Sequence, residues 1–200
     1  MKLSTAYLLI FLNLVFFCNV KAEVINNFKI EGIKIGDNLL DHAENIGLSL
    51  ESLKNLKLAY YPNSKKFAGL NIANKGNYKT YDSVQFHINP NNYKIHSVSG
   101  KMYNSSCFKQ LDIMFEEIKD LYPGAEIYLG KEKKHKADKT GNSMSKFHVL
   151  KFINGQIRFD CQDWSDEFRD TNGNKPKDGI MVSVLSNEFF DWLKNEAYKK

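Results

Sequence analysis

Two cysteines, Cys107 and Cys161, constrain the fold of this chain most, because each lies on the apolar face of a different secondary-structure element. Apolar residues recur at helical spacing between residues 105 and 122, which predicts a helix that Pro123-Gly124 ends. The apolar stripe is formed by Cys107, Leu111, Met114, Ile118 and Leu121. Because Cys107 belongs to this stripe, we expect its side chain to point toward the surface that the helix covers.

The second cysteine ends a predicted β-hairpin. Residues 147–153 and 156–161 flank Asn154-Gly155, a strong hairpin signal, and a two-residue turn there pairs Phe152 with Ile157. Strand alternation then places one apolar set on the face that the helix covers. This set is Leu150, Phe152, Ile157, Phe159 and Cys161. We therefore expect a disulfide between the two cysteines. The alternative is two free thiols, since a helix start favours a thiolate.

The first 22 residues are typical of a secretory signal peptide. A cationic start, Met1-Lys2, precedes an apolar run over residues 7–17, and Val20-Lys21-Ala22 provides the small residues expected before a cleavage site. The run is shorter than the roughly 20 apolar residues that a membrane span needs. The sequence thus predicts a periplasmic or secreted protein in an oxidising compartment, which favours the disulfide.

Cleavage after this signal leaves residues 23–200, which we predict to form a single α+β domain. The signal contains two of the lysines that contribute to the formal charge of +5, so the remaining charge is too small to indicate nucleic-acid binding. No later apolar run approaches membrane-spanning length, so no transmembrane segment is expected after cleavage. Cys18 leaves with the signal, and the large Phe17 before it argues against lipid attachment.

The N-terminal part of the domain predicts one strand, two short helices and a loop. Residues 28–35 favour an extended strand. A helix capped by Asp37 then ends at Gly47, and a second short helix is capped by Ser49. Residues 60–79 are polar and contain glycine, which favours a loop.

The rest of the chain predicts a further hairpin, a last strand and a terminal helix. Residues 81–88 and 93–102 form the hairpin around a polar turn. Residues 180–184 alternate as the last strand, and Ser186 caps the terminal helix. The expected fold class is α+β: an antiparallel sheet built from two hairpins and a last strand, with the central and C-terminal helices packed on one face and one disulfide.

The sequence contains no assembled catalytic motif. It lacks a Gly-x-Ser-x-Gly elbow, a His-Glu-x-x-His pair, a phosphate-binding glycine-rich loop and a Cys-x-x-Cys pair. We therefore expect no enzymatic activity and no cofactor. A hydrolase of unrecognised type, using a histidine and nearby acids, is the alternative.

Three histidines lie on predicted strands. His87 and His96 flank the first hairpin turn, where they are candidate ligand-binding residues within reach of one metal ion. Lys94 lies beside them and two histidines rarely complete a site, so we expect no metal centre and a polar sheet face instead. His148 falls on the core face beside Cys161, which predicts a packed, hydrogen-bonded histidine.

Residues 130–143 form a lysine-rich segment, which we call the basic loop. Its candidate binding residues are Lys131, Lys133, Lys134, His135, Lys136 and Lys139. Gly130 and Gly141 bound the loop and permit mobility. Such a charge cluster favours anionic lipid headgroups or an acidic partner, and a solvated loop is the alternative.

Two further segments have both a structural and a functional interpretation. Trp164 follows Cys161 by three residues, so we expect the indole to pack over the disulfide, with a recognition surface as the alternative. Residues 170–174 open like a calcium-binding loop. Lys175 and Met181 then occupy the positions where glycine and a bidentate acid are needed, so a solvated turn is expected.

Several stretches together resemble a family of uncharacterised exported proteins of marine bacteria with AT-rich genomes. The stretches are residues 31–41, 61–67, 96–100, 135–143 and 161–165. The sequence departs from the family pattern at Asn38 and Gln162, where the family has serine and tyrosine. The resemblance covers most of the chain after the signal and implies a periplasmic protein, but it implies no activity.

Residues 32–102 also show a weaker, fold-level likeness to the small envelope lipoproteins of the outer-membrane assembly machine, which begin with a helical pair followed by antiparallel strands. Fold alone does not define function. Taken together, the sequence predicts a non-catalytic binding module for a protein or envelope component, with an envelope protein or an anionic envelope surface as partner. Small-ligand or metal binding through His87 and His96 is the alternative.

Overall fold

The computed structural model describes residues 25, 27–74, 77–171 and 176–199 of the chain. The predicted signal peptide and Cys18 lie outside these residues, and so does most of the calcium-like segment at 170–174.

One antiparallel sheet of nine strands organises the described residues. In chain order the strands are β1 Ala59–Tyr61, β2 Ser64–Ala73, β3 Ser83–Ile88, β4 Ile95–Tyr103, β5 Glu126–Leu129, β6 Lys133–Lys134, β7 Met144–Phe152, β8 Gly155–Asp163 and β9 Gly179–Ser186. Across the sheet the order is β1-β2-β3-β4-β9-β8-β7-β5, and β6 pairs with β7 as well. The last strand, β9, therefore joins the two halves of the sheet.

Four α-helices with full bounds accompany the sheet within the described residues. They are α1 Leu50–Lys54, α2 Cys107–Lys119, α3 Asp166–Thr171 and α4 Asn187–Asn195. Two short 3-10 helices, Leu39–His42 and Glu44–Ile46, precede α1. The predicted central and terminal helices thus exist with slightly shorter bounds.

Polar side chains cap three of these helices. Ser49 of α1 and Ser186 of α4 each accept a hydrogen bond from the N–H three residues later, at 3.1 and 3.2 Å, so both predicted caps are confirmed. The first 3-10 helix is capped by Asn38 rather than Asp37, and the second ends at Gly47, where φ is 73°. That conformation favours glycine because a Cβ would be strained there.

We name the two faces of the sheet after the helices that pack on them. The α2 face contains Phe159 and Cys161 of β8, and the α4 face contains Leu185 of β9 and Phe67 of β2. The N-terminal segment also packs on the α2 face, where Leu39 is buried. Each face therefore has its own hydrophobic core.

The main core lies between α2 and the α2 face. Leu111 and Phe115 are fully buried, and the Phe115 ring meets the Phe159 ring edge-on with centroids 5.4 Å apart. A disulfide between Cys107 and Cys161 joins the start of α2 to β8, with Cα atoms 5.6 Å apart. The α+β fold class, the antiparallel sheet and the predicted bridge are therefore confirmed.

The smaller core lies under α4. Phe189 and Trp192 of this helix pack with Phe67 and Leu185. Because Leu185 alternates with Val184, which belongs to the main core, α4 lies on the opposite face of the sheet from α2. The sequence pattern predicts both helices on one face. The structure differs because α4 follows β9 without a loop and stays on the side to which Leu185 points.

The second hairpin turns one residue earlier than expected. Phe152 pairs with Gly155 and Leu150 with Ile157, so Ile153 and Asn154 form the turn. Gly155 is needed for another reason: a Cβ there would lie 2.3 Å from the carbonyl oxygen of Leu185 in β9. The pairing changes by two residues, which preserves the expected side-chain faces.

Two predictions for the N-terminal part are wrong. Residues 28–35 form a tight turn rather than a strand, because Glu31 and Gly32 both have positive φ, and Ile30 and Ile33 exchange both backbone hydrogen bonds. The predicted loop at 60–79 instead contains β1 and β2. Small residues in β2 hide the alternation there, and β2 gains its backbone partners from β3.

Replacing both bridge cysteines, Cys107→Ala with Cys161→Ala, is expected to lower the free energy of unfolding by about 4 kcal/mol, because the bridge spans a sequence separation of 54 residues. Urea denaturation followed by circular dichroism measures the change. Reductant is expected to destabilise the parent similarly and to leave the double variant unaffected. A parent equally stable in both redox states would contradict the bridge.

Candidate functional site

A hydrogen-bond cluster around Asp138 fixes the conformation of the basic loop. The Asp138 carboxylate accepts hydrogen bonds from the N–H and hydroxyl of Ser143 at 2.9 and 2.6 Å, and from the same groups of Thr140 at 2.8 and 2.7 Å. The Ser165 hydroxyl, beyond the end of β8, donates to the same carboxylate at 3.1 Å. The cluster therefore joins the loop to the segment that follows β8.

Asp138 and His135 do not supply the positive charge of this loop. Burial raises the pKa of Asp138, but the hydrogen bonds from Ser143 and Thr140 outweigh burial and hold the pKa well below its usual range. Burial lowers the pKa of His135 despite the nearby Asp138 carboxylate, and Lys133 adds to this lowering. The positive charge of the loop comes from its lysines.

Those lysines are exposed and lack acidic partners. Lys131, Lys133, Lys134, Lys136 and Lys139 all project into solvent. Within the described part of the chain, none of them lies within ion-pair distance of a carboxylate. Asp138 is engaged inside the loop. The basic loop also contains the exposed Glu132, but its lysines outnumber its acids, so it keeps a net positive charge.

An aromatic ring of β7 lies directly beside the basic loop. Phe147 stacks with Tyr128 of β5, with ring centroids 5.4 Å apart. The Arg158 guanidinium lies 4.1 Å from the Phe147 ring centre, and the Lys133 Nζ lies 4.7 Å from it. Both distances are within the range of cation–π attraction. We call Tyr128, Lys133, Phe147 and Arg158 the cation–aromatic cluster.

Asp160, two residues along the same strand, holds Arg158 in place. Asp160 accepts two hydrogen bonds from the guanidinium, at 2.7 Å from Nε and 2.6 Å from Nη2. Because Arg158 and Asp160 are two residues apart on β8, both side chains lie on the α4 face. A bidentate pair of this kind fixes the guanidinium plane against the Phe147 ring.

A groove of about 580 Å³ runs between the cation–aromatic cluster and α4. Its apolar lining comes from Tyr128, Phe147, Val149 and Phe190. A second, smaller groove of about 190 Å³ lies under the basic loop and shares Phe147 and Arg158 with the first. The lysines of the loop and the aromatic groove therefore form one continuous candidate site on the α4 face.

The two hairpin histidines lie in a different place, in the core under α4. The His87 ring stacks on Phe189 with centroids 4.6 Å apart, and burial lowers the pKa of His87 to about 4. His96 packs against Phe67 at 4.7 Å, and its Nδ1 lies 3.4 Å from a Glu188 oxygen. Burial lowers the pKa of His96 despite that carboxylate. Both rings are therefore packed rather than exposed on an open sheet face.

A metal site would need more ligands than these histidines provide. Over residues 27–74, 77–171 and 176–199 the structure contains no group of three or more His, Cys, Asp or Glu side chains placed to hold a metal ion. Metal binding by His87 and His96 is the alternative to a polar sheet face, and these residues gain no further ligand in the described part of the chain.

His148 is packed and hydrogen-bonded, as predicted. Its Nε2 lies 2.8 Å from an Asp112 oxygen, and its Nδ1 accepts a hydrogen bond from the Gly130 N–H at 3.2 Å. Asp112 also accepts a hydrogen bond from Lys146 at 2.8 Å. Although burial opposes it, hydrogen bonding from Lys146 and His148 lowers the pKa of Asp112. These contacts connect α2 to β7 and serve the main core.

Trp164 contacts the basic loop. Its ring stacks on Phe168 with centroids 4.9 Å apart and lies 4.1 Å from the His135 ring. Its backbone N–H donates to Asp178 at 2.7 Å. The indole therefore packs against the basic loop through the His135 ring. Packing of Trp164 over the disulfide remains a prediction.

Sequence reasoning missed four residues of the site: Tyr128, Phe147, Arg158 and Phe190. One signal was present, because β7 places Phe147 and Val149 on the face opposite Leu150. A strand that is apolar on both faces needs a cover or a ligand on each. The stacking of Arg158 on Phe147 depends on the register between β7 and β8 and has no local sequence signal.

No family model, curated protein or solved structure matches this chain. The described helices are all too short or too polar to span a lipid bilayer. The interpretation of the site therefore depends on its geometry and chemistry.

The variant Asp138→Asn is expected to unfold at lower urea concentration near neutral pH and to show a weaker pH dependence. Because hydrogen bonds lower the folded pKa of Asp138, its carboxylate stabilises the fold above about pH 4, and this contribution is lost as the pH falls further. Urea denaturation from pH 6 to pH 3 measures both effects. The exposed Asp166→Asn variant is the control, and an identical pH dependence in both variants would contradict the role of Asp138.

The His87 imidazole is expected to titrate with a midpoint near pH 4, because burial against Phe189 disfavours the charged ring. Its neutral form stabilises the fold fully above about pH 6.5, and that contribution decreases as the pH falls toward 4. Nuclear magnetic resonance of the ring protons measures the midpoint. A midpoint at the ordinary histidine value would show that the ring is solvated.

Proposed function

We propose that this chain is an exported, non-catalytic binding module that holds an acidic segment of an envelope protein against the basic loop and the adjoining groove. The observation that carries this proposal is the unneutralised lysine charge on a loop whose conformation is fixed by Asp138. The groove beside the loop adds apolar surface, and its charged lining consists of two acids, Glu126 and Asp191, and two bases, Lys151 and Arg158.

The fixed loop favours binding over simple solvation. A mobile lysine loop loses conformational entropy when a partner orders it, and that loss opposes association. Asp138 and Trp164 hold this loop in one conformation before any partner arrives. The backbone that carries the lysines is therefore already ordered, and the lysine charges attract acidic groups.

The composition of the groove supports a protein partner. Tyrosine, phenylalanine and arginine are enriched where protein surfaces bind each other, and Tyr128, Phe147 and Arg158 occur together here. Phe147 and Val149 line a groove, which a partner's side chain can enter.

Two observations support an envelope location. The first 22 residues have the order typical of a signal peptide. The bridge between Cys107 and Cys161 is the kind of bond that persists in oxidising compartments outside the cytoplasm. Together they favour a periplasmic or secreted site of action.

A binding measurement with charge-reversal variants tests the proposal. The probe is a fluorescent ten-residue peptide of alternating Glu and Val, with an alternating Lys and Val peptide as the charge control. Lys133→Glu with Lys134→Glu and Lys136→Glu is expected to weaken binding of the acidic peptide about tenfold or more and to reduce its salt dependence.

A matched control separates local charge from net charge. The triple variant Lys54→Glu, Lys57→Glu and Lys109→Glu changes the net charge equally at exposed positions outside the basic loop. Its affinity is expected to stay within about twofold of the parent. Equal losses in both triple variants, or no binding of the acidic peptide to the parent, would overturn the proposal. Binding to phosphatidylglycerol vesicles without binding to the peptide would favour a lipid surface instead.

A further inference from the structure

We infer that the acidic segment binds as an added β-strand along the free edge of β5. This inference depends on the proposed function and specifies how its partner is held. β5 is an edge strand of the sheet, and it pairs only with β7 in the part of the chain that the structure describes.

The hydrogen-bond pattern shows which backbone groups of β5 are free. The Gly130 N–H donates to the Phe147 carbonyl at 2.9 Å, and in an antiparallel pair such hydrogen-bonded positions alternate with positions that point away. Tyr128, two residues earlier and opposite Val149, therefore directs its backbone groups toward β7. The N–H and carbonyl groups of Ile127 and Leu129 point outward, where another strand could pair with them.

One residue of β5 carries a charge, Glu126, and it pairs with Lys151 of β7. Ile127, Tyr128 and Leu129 are consecutive apolar residues with exposed fractions of 49, 55 and 58%. Natural edge strands are usually protected from pairing by charges, prolines or covering elements.

The same edge continues into the basic loop. β6 follows β5 on the same side of β7, where Lys133 lies opposite Ser145 and Lys134 opposite Met144. A strand added along β5 would therefore meet Lys131, Lys133 and Lys134 at one end. Its carboxylates would neutralise those lysines, and side chains on the α4 face would lie beside Tyr128 at the mouth of the groove.

Charge selects the acidic strand over a second copy of this chain. A second copy would offer the β5 edge the same excess of lysine that already surrounds it, whereas an acidic strand offers the opposite charge. In strand addition the backbone hydrogen bonds supply affinity and alternate side chains supply specificity. Both components are present here, in the outward groups of Ile127 and Leu129 and in the lysines beyond them.

A proline at an outward position tests the inference. Leu129→Pro removes an N–H that faces away from β7, a position at which edge strands tolerate proline. We expect the acidic Glu-Val peptide to bind this variant about tenfold more weakly. Leu129→Val keeps both the N–H and an apolar side chain, so its affinity is expected to stay within about twofold of the parent. Circular dichroism and urea denaturation establish that both variants are folded.

Hydrogen exchange on the parent protein supplies a second readout that needs no variant. Addition of the peptide is expected to slow exchange of the Ile127 and Leu129 amides. The Tyr128 amide, which already faces β7, is expected to change little. No protection at Ile127 and Leu129 while the peptide is bound would overturn strand addition.

The outcomes separate this inference from the proposed function. If the lysine triple variant loses binding while Leu129→Pro keeps it and the outward amides stay unprotected, strand addition is wrong and the acidic-partner proposal stands. If the parent does not bind the peptide, both are wrong. A parent that dimerises in analytical ultracentrifugation, and a Leu129→Pro variant that does not, would identify a second copy as the occupant and overturn the inference.

Discussion

The structure depends on the backbone hydrogen bonds that hold β9 between β4 and β8. The first four strands and the second hairpin form separate halves, and β9 is the strand that makes them one sheet. Its side chains also serve both cores, because Val184 packs under the main core while Leu185 packs under α4. Since α4 follows β9 directly, its position is a consequence of that one strand. The groove between α4 and the cation–aromatic cluster therefore exists only when β9 is in place.

The candidate site combines fixed charge with an apolar surface. Asp138 uses its carboxylate to bind Ser143, Thr140 and Ser165, so it orders the basic loop without neutralising the lysines. Asp160 pairs with the Arg158 guanidinium, so it neutralises that charge and orients the guanidinium over the Phe147 ring. Two aspartates thus have different effects on the same surface. Asp138 leaves the lysine charges exposed, and Asp160 neutralises Arg158 so that this side chain packs on an aromatic ring.

Much of the fold was predictable, and the failures have physical causes. Periodicity located α2, both hairpins and the bridge. The helix has apolar residues at helical spacing, and the hairpin strands have apolar residues at alternate positions. Periodicity included Leu121 in the helical stripe although this residue lies beyond the helix end and is 70% exposed, and it omitted the fully buried Phe115. The lysines of the site were visible as composition. The aromatic half was not, because Tyr128, Phe147 and Arg158 meet only through the pairing of three strands.

The position of the disulfide along the chain has a consequence for the order of assembly. Cys107 and Cys161 both precede β9, and the elements that carry them, α2 and β8, are in contact without it. Because the chain is made from its N terminus, the two sulfurs can be oxidised before β9 has paired with β4 and β8. Pairings between residues distant in sequence form slowly. The disulfide can therefore form before β9 pairs with its neighbours, and the two halves of the sheet become continuous when β9 pairs with β4 and β8.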